Sequence, residues 1–499
     1  MGAVAESRGV AVAAPHPLAA EAGAEAARAG GNAIDAALAA AAVLVVAYPH
    51  QCALGGDLNA LVREPDGTVT AVLSLGAAPA AVDVEALRAA GERMPKQGAL
   101  AVTVPGVVAG WTELAGRGAR LGLRAPLLRA ATLAADGTPV TPGLARAIVD
   151  RLDVVAADPG LAALLLPGGE PAAAGAPLVQ PALARSLEAI AADPAALYRG
   201  EIAAALAAFL GAGGSAMAPE DFAAHAAETV EPLSAVAGEE RWWASPPPAQ
   251  GATALALLDP GLPGGPLARA RAAHAARSRL LGDPRAAAID VAGLLAPAPL
   301  PADPPPPRGS GDTVAVTAVD AEGRAVTLIQ SVFQTFGAGL LEPGTGIVLH
   351  NRGSAFSLVP GHPAEIGPGR RPPHTLCPLI GQRGEVLAAI GCQGGSAQPL
   401  ILSQVASAAL DPAADLDAVL AAPRWVVGDR ELGFERETVL AEPGAEAPLA
   451  AELAAPGAPP LHAGAAREDR CGHVQVSRLR GAALEAAADP RADGIGVLA

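Results

Sequence analysis

The stretch that decides the fold is residues 312–333, DTVAVTAVDAEGRAVTLIQSVF. Apolar residues alternate with small or polar ones on both sides of AEGR, which predicts two strands joined by a short turn around Gly323. The tract before them, residues 296–311, reads APAPLPADPPPPRGSG. Proline-rich tracts favour an extended, solvated backbone without internal hydrogen bonds. Composition therefore indicates a linker that enters a strand opening on Thr313.

A threonine directly after such a tract has one special chemical possibility. If the Asp312–Thr313 bond is cut, Thr313 acquires a free α-amine, whose reference pKa is about 7.7–8. That amine can act as the base for the threonine's own hydroxyl, so no separate histidine is needed. The alternative is a β-branched residue that opens a strand behind a linker, and these residues alone leave both interpretations open.

Composition excludes several classes of protein. The chain has 499 residues, of which 51% are hydrophobic, many of them alanine, so it is long and apolar enough for one large domain or two to three smaller ones. The net charge is −16 and no basic run interleaves with aromatics, which disfavours a nucleic-acid partner. None of the four cysteines lies in a C-x-x-C pair, so we expect reduced thiols in a cytoplasmic protein. Cys471 and His473 lack the further ligands of a metal site, and we expect no metal and no cofactor.

Hydropathy predicts neither a signal peptide nor a membrane-spanning segment. The N-terminus carries Glu6 and Arg8 and has no basic lead into an apolar region. The longest apolar run, residues 36–48, has 13 residues. That length is too short to cross a bilayer and indicates a buried helix.

Helix and strand signals alternate at the start of the chain. Residues 8–14 predict a strand, and the following helix ends at Gly30–Gly31. Asn32 is suited to cap the next helix, with Asp35 in its first turn. Residues 58–76 predict a hairpin around Asp66–Gly67, and residues 100–300 read as mostly helical. β signals return at Thr313, and residues 400–411, LILSQVASAALD, predict a further helix. Together these elements predict a layered α/β domain.

A glycine-rich segment, GCQGGSAQP at residues 391–399, follows another apolar strand. Gly394 and Gly395 would let two backbone N–H groups approach a ligand oxygen, as an oxyanion hole requires. The alternative is an ordinary glycine turn. The chain contains neither a G-x-S-x-G elbow nor a phosphate-binding loop motif.

A dozen segments in a fixed order carry a family resemblance. The first is HPLAAEAGAEAARAGGNAIDAALAAAAVLVVAYPHQCALGGD at residues 16–57. It is followed in order by ALAVTVPGVVAGW, LYRGEIA, EDFAAHAAETVEPLS, SPPPAQG, RSRLLGDP, GDTVAVTAVDAEGRAV, FGAGLLEPGTGIVLHNR, PGRRPPHTLCP, GCQGGS, APRW and DPRADG. Over nearly its whole length the chain resembles the γ-glutamyltranspeptidase family of N-terminal-nucleophile hydrolases.

This resemblance implies a four-layer αββα sandwich and autocatalytic cleavage between Asp312 and Thr313. Residues 1–312, which end in the proline-rich tract, would form a large subunit and residues 313–499 a small one, together in one intertwined domain. A homodimer of such pairs is a further expectation. The resemblance also implies that Thr313 is the nucleophile, that Ser331 positions its hydroxyl, and that Gly394 and Gly395 form the oxyanion hole.

The chain departs from the family at several positions that carry chemistry. Val314 and Ala315 replace polar residues that normally follow the nucleophile, and Leu75 lies where an arginine is expected for the glutamyl carboxylate. The remaining substrate-binding positions align with Phe333, Arg352, Ser354, His374 and Thr375. A zwitterionic head needs a cation and an anion, and a buried charge left unpaired costs about 3–5 kcal/mol. We therefore expect the acyl-transfer machinery without the usual glutamyl clamp, with Arg352 and His374 pairing an acidic group.

Three functional interpretations remain open from the sequence. The first is a self-processing amidohydrolase of the cytoplasmic γ-glutamyltranspeptidase-like and cephalosporin acylase-like branch, acting on γ-glutamyl-like or other N-acyl (for example glutaryl) amides. Hydrolysis is expected over transpeptidation because nothing marks an acceptor amino-acid site. The second is an unprocessed, non-catalytic homologue that binds a small acidic ligand, an interpretation that Val314, Ala315 and Phe333 favour. The third is a true γ-glutamyl hydrolase with a rebuilt clamp, which would act in glutathione metabolism.

Overall fold

The computed structural model describes residues 9–298, 312–429 and 432–499. Within these ranges the hairpin predicted at residues 312–333 forms as two nine-residue strands, Asp312–Asp320 and Ala325–Phe333. The proline-rich tract lies outside the described residues from position 299 to 311.

Two sets of elements, numbered along the chain, make up these ranges. The strands are β1 Val10–Ala14, β2 Asp57–Arg63, β3 Val69–Ser74, β4 Thr138–Pro139, β5 Pro177–Leu178, β6 Glu228–Val230, β7 Leu233–Ala237, β8 Glu240–Ala244, β9 Asp312–Asp320, β10 Ala325–Phe333, β11 Leu341–Glu342, β12 Ile347–Val348, β13 Leu379–Arg383, β14 Val386–Cys392, β15 Trp425–Gly428, β16 Thr438–Ala441, β17 Leu461–Ala463, β18 Val474–Arg480, β19 Ala483–Ala488 and β20 Ile495–Leu498. The helices are α1 Pro17–Arg28, α2 Ala33–Ala47, α3 Val84–Ala90, α4 Val107–Gly116, α5 Arg124–Asp136, α6 Pro142–Asp150, α7 Leu152–Ala157, α8 Pro159–Leu165, α9 Pro181–Ala192, α10 Glu201–Ala212, α11 Pro219–Ala223, α12 Gly251–Leu258, α13 Pro266–Leu280, α14 Val291–Leu295, α15 Gln398–Ser403, α16 Ala406–Ala409, α17 Leu416–Ala421 and α18 Ala450–Leu453.

Two large antiparallel sheets form the centre of the molecule. In the described part of the chain, the first sheet has the strand order β20-β1-β9-β10-β2-β3-β6, and the second has the order β19-β18-β14-β13-β8-β7. The hairpin β9–β10 lies in the middle of the first sheet, between β1 and β2. Each sheet therefore combines strands that precede residue 313 with strands that follow it.

The side chains of β9 alternate between the two faces of the first sheet, as strand geometry requires. Val314 and Val316 pack with α1 and α2 in one buried cluster. Ala315 and Val319 belong to clusters that join the two sheets. Thr313 lies two residues before Ala315 and therefore on the same face of the strand. Its side chain faces the space between the sheets. A threonine at this position is therefore placed for an inter-sheet site.

Helices cover the outer face of each sheet. The buried cluster on the outside of the first sheet includes α1, α2, α4, α5 and α9, and the cluster on the outside of the second includes α12, α15, α16 and α17. The order helix, sheet, sheet, helix confirms the expected four-layer α/β architecture. The two sheets approach closely because small residues face each other: a Cβ placed on Gly391 would lie 2.9 Å from the Cβ of Ala315.

The first two helices form where the sequence predicts them. The side-chain oxygen of Asn32 accepts from the backbone N–H groups of Ile34 and Asp35, and the Asp35 carboxylate accepts from the Asn32 N–H. These reciprocal bonds make a capping box. Every residue of α2 is buried, which confirms that the apolar run is a core helix.

Two predicted elements differ from the structure. Residues 100–300 read as mostly helical, yet they contain β6, β7 and β8, which extend both sheets. The helix predicted over residues 400–411 breaks into α15 and α16. At the break, the side chain of Gln404 donates to the carbonyl oxygens of Leu400 and Trp425. Those bonds tie the end of α15 to β15.

The segment Pro194–Ala212 is long and apolar enough to cross a membrane by length and composition alone. It begins with a 3₁₀ turn and continues into α10. Leu197, Ile202, Leu206 and Leu210 are buried in the core cluster on the outside of the first sheet. The core helix of a soluble protein passes the same length and composition test.

Candidate active site

Two hydroxyl groups converge on one backbone carbonyl at the start of β9. Thr313 is fully buried, and its Oγ1 lies 2.7 Å from the carbonyl oxygen of Asp312 and 3.1 Å from Oγ of Ser331. The Ser331 hydroxyl donates to the same Asp312 oxygen at 2.5 Å. Ser331 also accepts from the backbone N–H of Phe333 at 2.7 Å, which fixes the direction in which its own proton points. The geometry polarises the Asp312 carbonyl next to the Thr313 hydroxyl.

An irregularity in the hairpin places Ser331. The β9–β10 register is regular up to Gln330, which pairs with Val314, and then shifts before Phe333 pairs with Asp312. Phe333 has φ +79°, an uncommon conformation for a residue other than glycine. Such irregularities bend a strand and redirect its side chains. On its other side Ser331 pairs with Asp57 of β2.

The side chain of Asp312 joins the hairpin to the predicted glycine turn. It accepts from Nε2 of Gln393 at 3.2 Å and from the hydroxyl of Thr335. Burial raises the pKa of Asp312. Gln393 is followed by Gly394 and Gly395, which have φ +143° and +54°, values that suit glycine. The glycine turn therefore adjoins the Asp312–Thr313 bond.

Gln250, at the N-terminus of α12, holds the opposite side of this turn. Its Nε2 donates to the carbonyl oxygen of Gly395 at 2.9 Å and to that of Thr375 at 2.6 Å. One side chain thus connects the glycine turn to the segment that carries His374 and Thr375. This role could not be predicted from the sequence, because a single glutamine at a helix start has no distinctive pattern.

The five predicted substrate-binding residues lie in neighbouring segments of the structure. Arg352 is buried, and its Nη2 donates to the Thr375 hydroxyl at 2.9 Å. Its guanidinium lies 3.6 Å from the centre of the Phe333 ring, within the range of a cation–π contact. His374 adjoins Thr375 in the chain and is fully buried. Ser354 lies in the same 3₁₀ turn as Arg352 and is partly buried.

Asp57 contacts His374 on the side of the site that faces β2. Nε2 of His374 lies 2.9 Å from Oδ2 of Asp57. Burial, together with the nearby charge of Arg352, lowers the pKa of His374 to about 3. Burial alone would raise the pKa of Asp57, but His350 and His374 outweigh it and lower that pKa. Near neutral pH Asp57 is therefore a carboxylate, and His374 is a neutral imidazole that donates to it.

A second histidine lies beside the same carboxylate. Nδ1 of His350 lies 3.3 Å from Oδ2 of Asp57, and its Nε2 lies 2.8 Å from the carbonyl oxygen of Thr103. The backbone N–H of Gly76 donates to the other Asp57 oxygen at 2.9 Å. Sequence reasoning missed Asp57 and His350. The available signal was an acidic residue directly after Gly55–Gly56, at the start of a buried strand.

The departures from the family pattern are visible as apolar packing. Leu75, at the position expected for an arginine, is buried in a cluster with Leu73, Ala315 and Ile329. Val314 faces the helices on the other side of the sheet. Polar support for Thr313 therefore comes from Ser331 and the Asp312 carbonyl, not from the two residues that follow it.

Among residues 9–298, 312–429 and 432–499, no group of three or more histidine, cysteine, aspartate or glutamate side chains is arranged to hold a metal ion. The four cysteine thiols are buried and free. His473 pairs with Asp469 at 2.9 Å, not with Cys471.

The chain matches known proteins along nearly its whole length. A family model described as gamma-glutamyltranspeptidase matches residues 19–260 and 268–499. The chain is 34% identical to an oxamate amidohydrolase proenzyme of Klebsiella pneumoniae, with 98% of each chain covered. It is 33% identical to an acylase ACY 1 proenzyme of a Pseudomonas strain, over 85% of this chain and 83% of that protein. A solved cephalosporin acylase from Bacillus halodurans superposes with a TM-score of 0.87 at 30% identity, covering 100% of this chain and 97% of the other.

Proposed function

Because this chain belongs to the gamma-glutamyltranspeptidase family, we propose that it is a self-processing amidohydrolase with Thr313 as its nucleophile. The observation that carries the proposal is the convergence of the Thr313 and Ser331 hydroxyls on the carbonyl oxygen of Asp312. Proenzymes among the relatives support a precursor that is cut into two chains.

In self-cleavage the Thr313 hydroxyl attacks the carbonyl carbon of Asp312. The hydroxyl of Ser331 donates to the carbonyl oxygen, where negative charge develops. The C–N bond then breaks, the Thr313 nitrogen takes up the proton lost by the hydroxyl, and an ester links Asp312 to Thr313. Water hydrolyses this ester. The products are a large chain that ends in the Asp312 carboxylate and a small chain, residues 313–499, that begins with a free threonine amine.

The same hydroxyl would then hydrolyse a substrate amide. The α-amine of Thr313 takes the hydroxyl proton as Oγ1 attacks the amide carbonyl, and passes it to the departing amine. An acyl-enzyme ester forms, and water releases the acid. The backbone N–H groups of Gly394 and Gly395 are assigned to the oxyanion, because their turn adjoins Asp312 through Gln393. Ser331 keeps the nucleophile oriented in both reactions.

The substrate we propose is a small amide that carries a carboxylate. The residues assigned to it are Phe333, Arg352, Ser354, His374 and Thr375. Arg352 supplies the cation for the carboxylate, while Leu75 and Ser354 replace the charged residues of the glutamyl clamp. Oxamate, γ-glutamyl and glutaryl amides all meet this description. Water is the expected acceptor, because nothing in the sequence marks an acceptor site for an amino acid.

The cellular setting is also part of the proposal. Buried free thiols and the core packing of Pro194–Ala212 support a cytoplasmic protein without membrane attachment. The two chains would remain interleaved and could pair into a homodimer of heterodimers. A role in glutathione metabolism would follow only if γ-glutamyl amides prove to be substrates.

Intact mass under denaturing conditions tests the proposal. The purified protein should give two chains separated at Asp312–Thr313, and Thr313→Ala should stay at the full 49.0 kDa. Covalent labelling of a new N-terminal threonine should locate the nucleophile. Full-length wild-type protein that Thr313→Ala leaves unchanged would instead support the unprocessed, non-catalytic homologue.

A further inference from the structure

His374 is linked to the proposed site through Asp57 and through its neighbour Thr375. Asp57 of β2 binds its Nε2, and Asp57 pairs across the sheet with Ser331, the residue that contacts the nucleophile. The next residue in the chain, Thr375, accepts from Arg352 through its hydroxyl and from Gln250 through its carbonyl. Gln250 also binds the glycine turn. His374 therefore lies among the groups assigned to catalysis and to the substrate carboxylate.

The contact with Asp57 fixes which nitrogen of His374 carries the proton. A carboxylate only accepts hydrogen bonds, so Nε2 must be the N–H. A second proton on Nδ1 would make a buried cation beside Arg352, and the pKa of about 3 excludes that form near neutral pH. Nδ1 therefore presents a lone pair.

That lone pair makes no hydrogen bond within the described part of the chain. Buried polar atoms are nearly always paired, and an unpaired one in a native structure calls for a partner such as a ligand. The partner must be a donor, because a neutral Nδ1 lone pair repels a carboxylate. His374 is thus unsuited to the acidic group that the sequence assigned to it, and Arg352 alone supplies the cation.

We propose that Asp57, held by the backbone N–H of Gly76, positions His374 as a hydrogen-bond acceptor, so that the site selects substrates with an N–H donor close to their carboxylate. This inference rests on the proposed function. It makes Asp57 a positioning residue and His374 a specificity-determining one. Two substrate classes place such a donor near a carboxylate: short amide acids, through the amide itself, and γ-glutamyl amides, through the α-ammonium.

The first test observes the tautomer without any substrate. The chain contains 9 histidines, so protein labelled with ¹⁵N in its imidazoles gives a spectrum of few signals, and the His374→Gln variant identifies the signal that is lost. We expect His374 to show a protonated Nε2 and a bare Nδ1 from pH 5 to 8. In Asp57→Asn the side-chain amide can donate to Nε2 of His374. The proton of His374 is then no longer confined to Nε2. A proton on Nδ1 in the wild-type protein overturns the inference.

The second test measures selectivity with donor-matched pairs. The first pair is oxamate, which has amide N–H donors, and N,N-dimethyloxamate, which has none. The second pair is γ-glutamyl p-nitroanilide, which has an α-ammonium, and glutaryl p-nitroanilide, which lacks it. For whichever pair is hydrolysed, the wild type should prefer the member with the donor by at least about 10-fold in kcat/KM, the effect of one unpaired buried group. Asp57→Asn should bring that ratio close to one, because it presents the wrong tautomer while the shape of the site is kept.

A matched control separates this role from general damage. Asp35 is an equally buried aspartate at the start of α2, and Asp35→Asn should leave the selectivity ratio unchanged. If Asp57→Asn keeps the wild-type ratio in protein that has been cut at Thr313, the inference is wrong and the proposed function stands. If the wild-type chain is neither cut nor active, the proposed function fails, and the tautomer measurement still decides the state of His374.

Discussion

Ser331 is the residue on which both proposed reactions depend. Its hydroxyl accepts from the Phe333 N–H and donates to the Asp312 carbonyl, so its proton is directed before any reaction begins. Its oxygen lies 3.1 Å from Oγ1 of Thr313, within hydrogen-bonding distance of the nucleophile. A donor that is already oriented toward the developing charge lowers the barrier without reorganisation.

We predict that Ser331→Ala slows self-cleavage by about 100-fold, the typical effect of removing one such donor. Ser331→Thr keeps the hydroxyl and should stay within about 10-fold of the wild type. The measurement is the fraction of uncut chain over time on a denaturing gel, with protein made by rapid synthesis so that the precursor is seen.

The control for this experiment is Ser477. Its hydroxyl lies 2.9 Å from that of Thr317, so it forms a second buried Ser–Thr pair further along β9. Ser477→Ala removes a buried Ser–Thr hydrogen bond that joins the two sheets away from the proposed cleavage site, and this variant should process normally. Equal slowing of both alanine variants would mean that packing between the sheets, not the Ser331 proton, sets the rate.

The sequence predicted several residues that the structure brings into contact, where they belong to recognisable motifs. Thr313, Ser331 and the contact group of Arg352, Phe333 and Thr375 follow from motif positions alone. Asp57 could not be placed in the same way, because its role depends on the β2–β10 register that brings it opposite Ser331, 274 positions later in the chain. Hydrogen bonds between distant strands leave no local pattern.

At the scale of elements, the proposed oxyanion turn is supported from α12. Gly394 and Gly395 can adopt their conformations only because they lack a Cβ, and the same freedom makes the turn easy to distort. Gln250 restrains the turn, because its side-chain amide donates to the carbonyl oxygens of both Gly395 and Thr375. The glycine turn and the segment with His374 are therefore fixed relative to each other by one side chain.

We predict that Gln250→Met lowers kcat for amide hydrolysis by about 10- to 100-fold, since misplacing one oxyanion group costs on the order of 100-fold. Self-cleavage should proceed, because the Asp312 carbonyl is polarised by Ser331. Steady-state kinetics and the gel assay together check both statements.

Gln404 provides the matched variant for this prediction. Its side chain also bridges two carbonyl groups, those of Leu400 and Trp425, but at the end of α15. Gln404→Met should leave kcat close to the wild-type value. A similar loss of activity in both variants would assign the effect to general loosening of the helices that cover the second sheet.

The predicted helices and strands match the structure best where a strong local sequence pattern belongs to a buried element. The helix α2, its cap and the hairpins β2–β3 and β9–β10 have strong local signals. The strands β6, β7 and β8 were missed because an alanine-rich composition surrounds them, and β7 alternates partly buried with exposed residues as an edge strand does. Their pairing with distant strands, not intrinsic preference, makes them strands.

For the whole molecule, the two sheets are built from both sides of residue 313. The strand β9 pairs with β1, which precedes the cleavage site, and β14 pairs with β13 in the sheet that also contains β8. Cleavage would therefore leave two chains that share both sheets. Such chains should separate only when the protein unfolds, which gives the molecule a single cooperative core.

That core also contains four buried histidines with lowered pKa values. Burial is the main cause in each case, and it lowers the pKa to about 4 for His16 and to about 3 for His50, His274 and His374. In the unfolded chain each would titrate near 6.5. Between about pH 6.5 and pH 4 the unfolded chain therefore binds protons that the folded chain does not. Stability must fall as the pH is lowered through this window.

We predict a steep loss of unfolding free energy between pH 6.5 and 4, with up to about 1.4 kcal/mol per pH unit from each of these histidines. Asp312 and Asp320, whose pKa values burial raises, bind protons in the folded state and offset part of the loss. Chemical denaturation across this pH range measures the slope. His274→Gln should reduce the slope by the contribution of about one bound proton, about 1.4 kcal/mol per pH unit. His462→Gln, at an exposed position, should leave the slope unchanged. A slope that is flat or reversed would show that the buried imidazoles take up protons without unfolding.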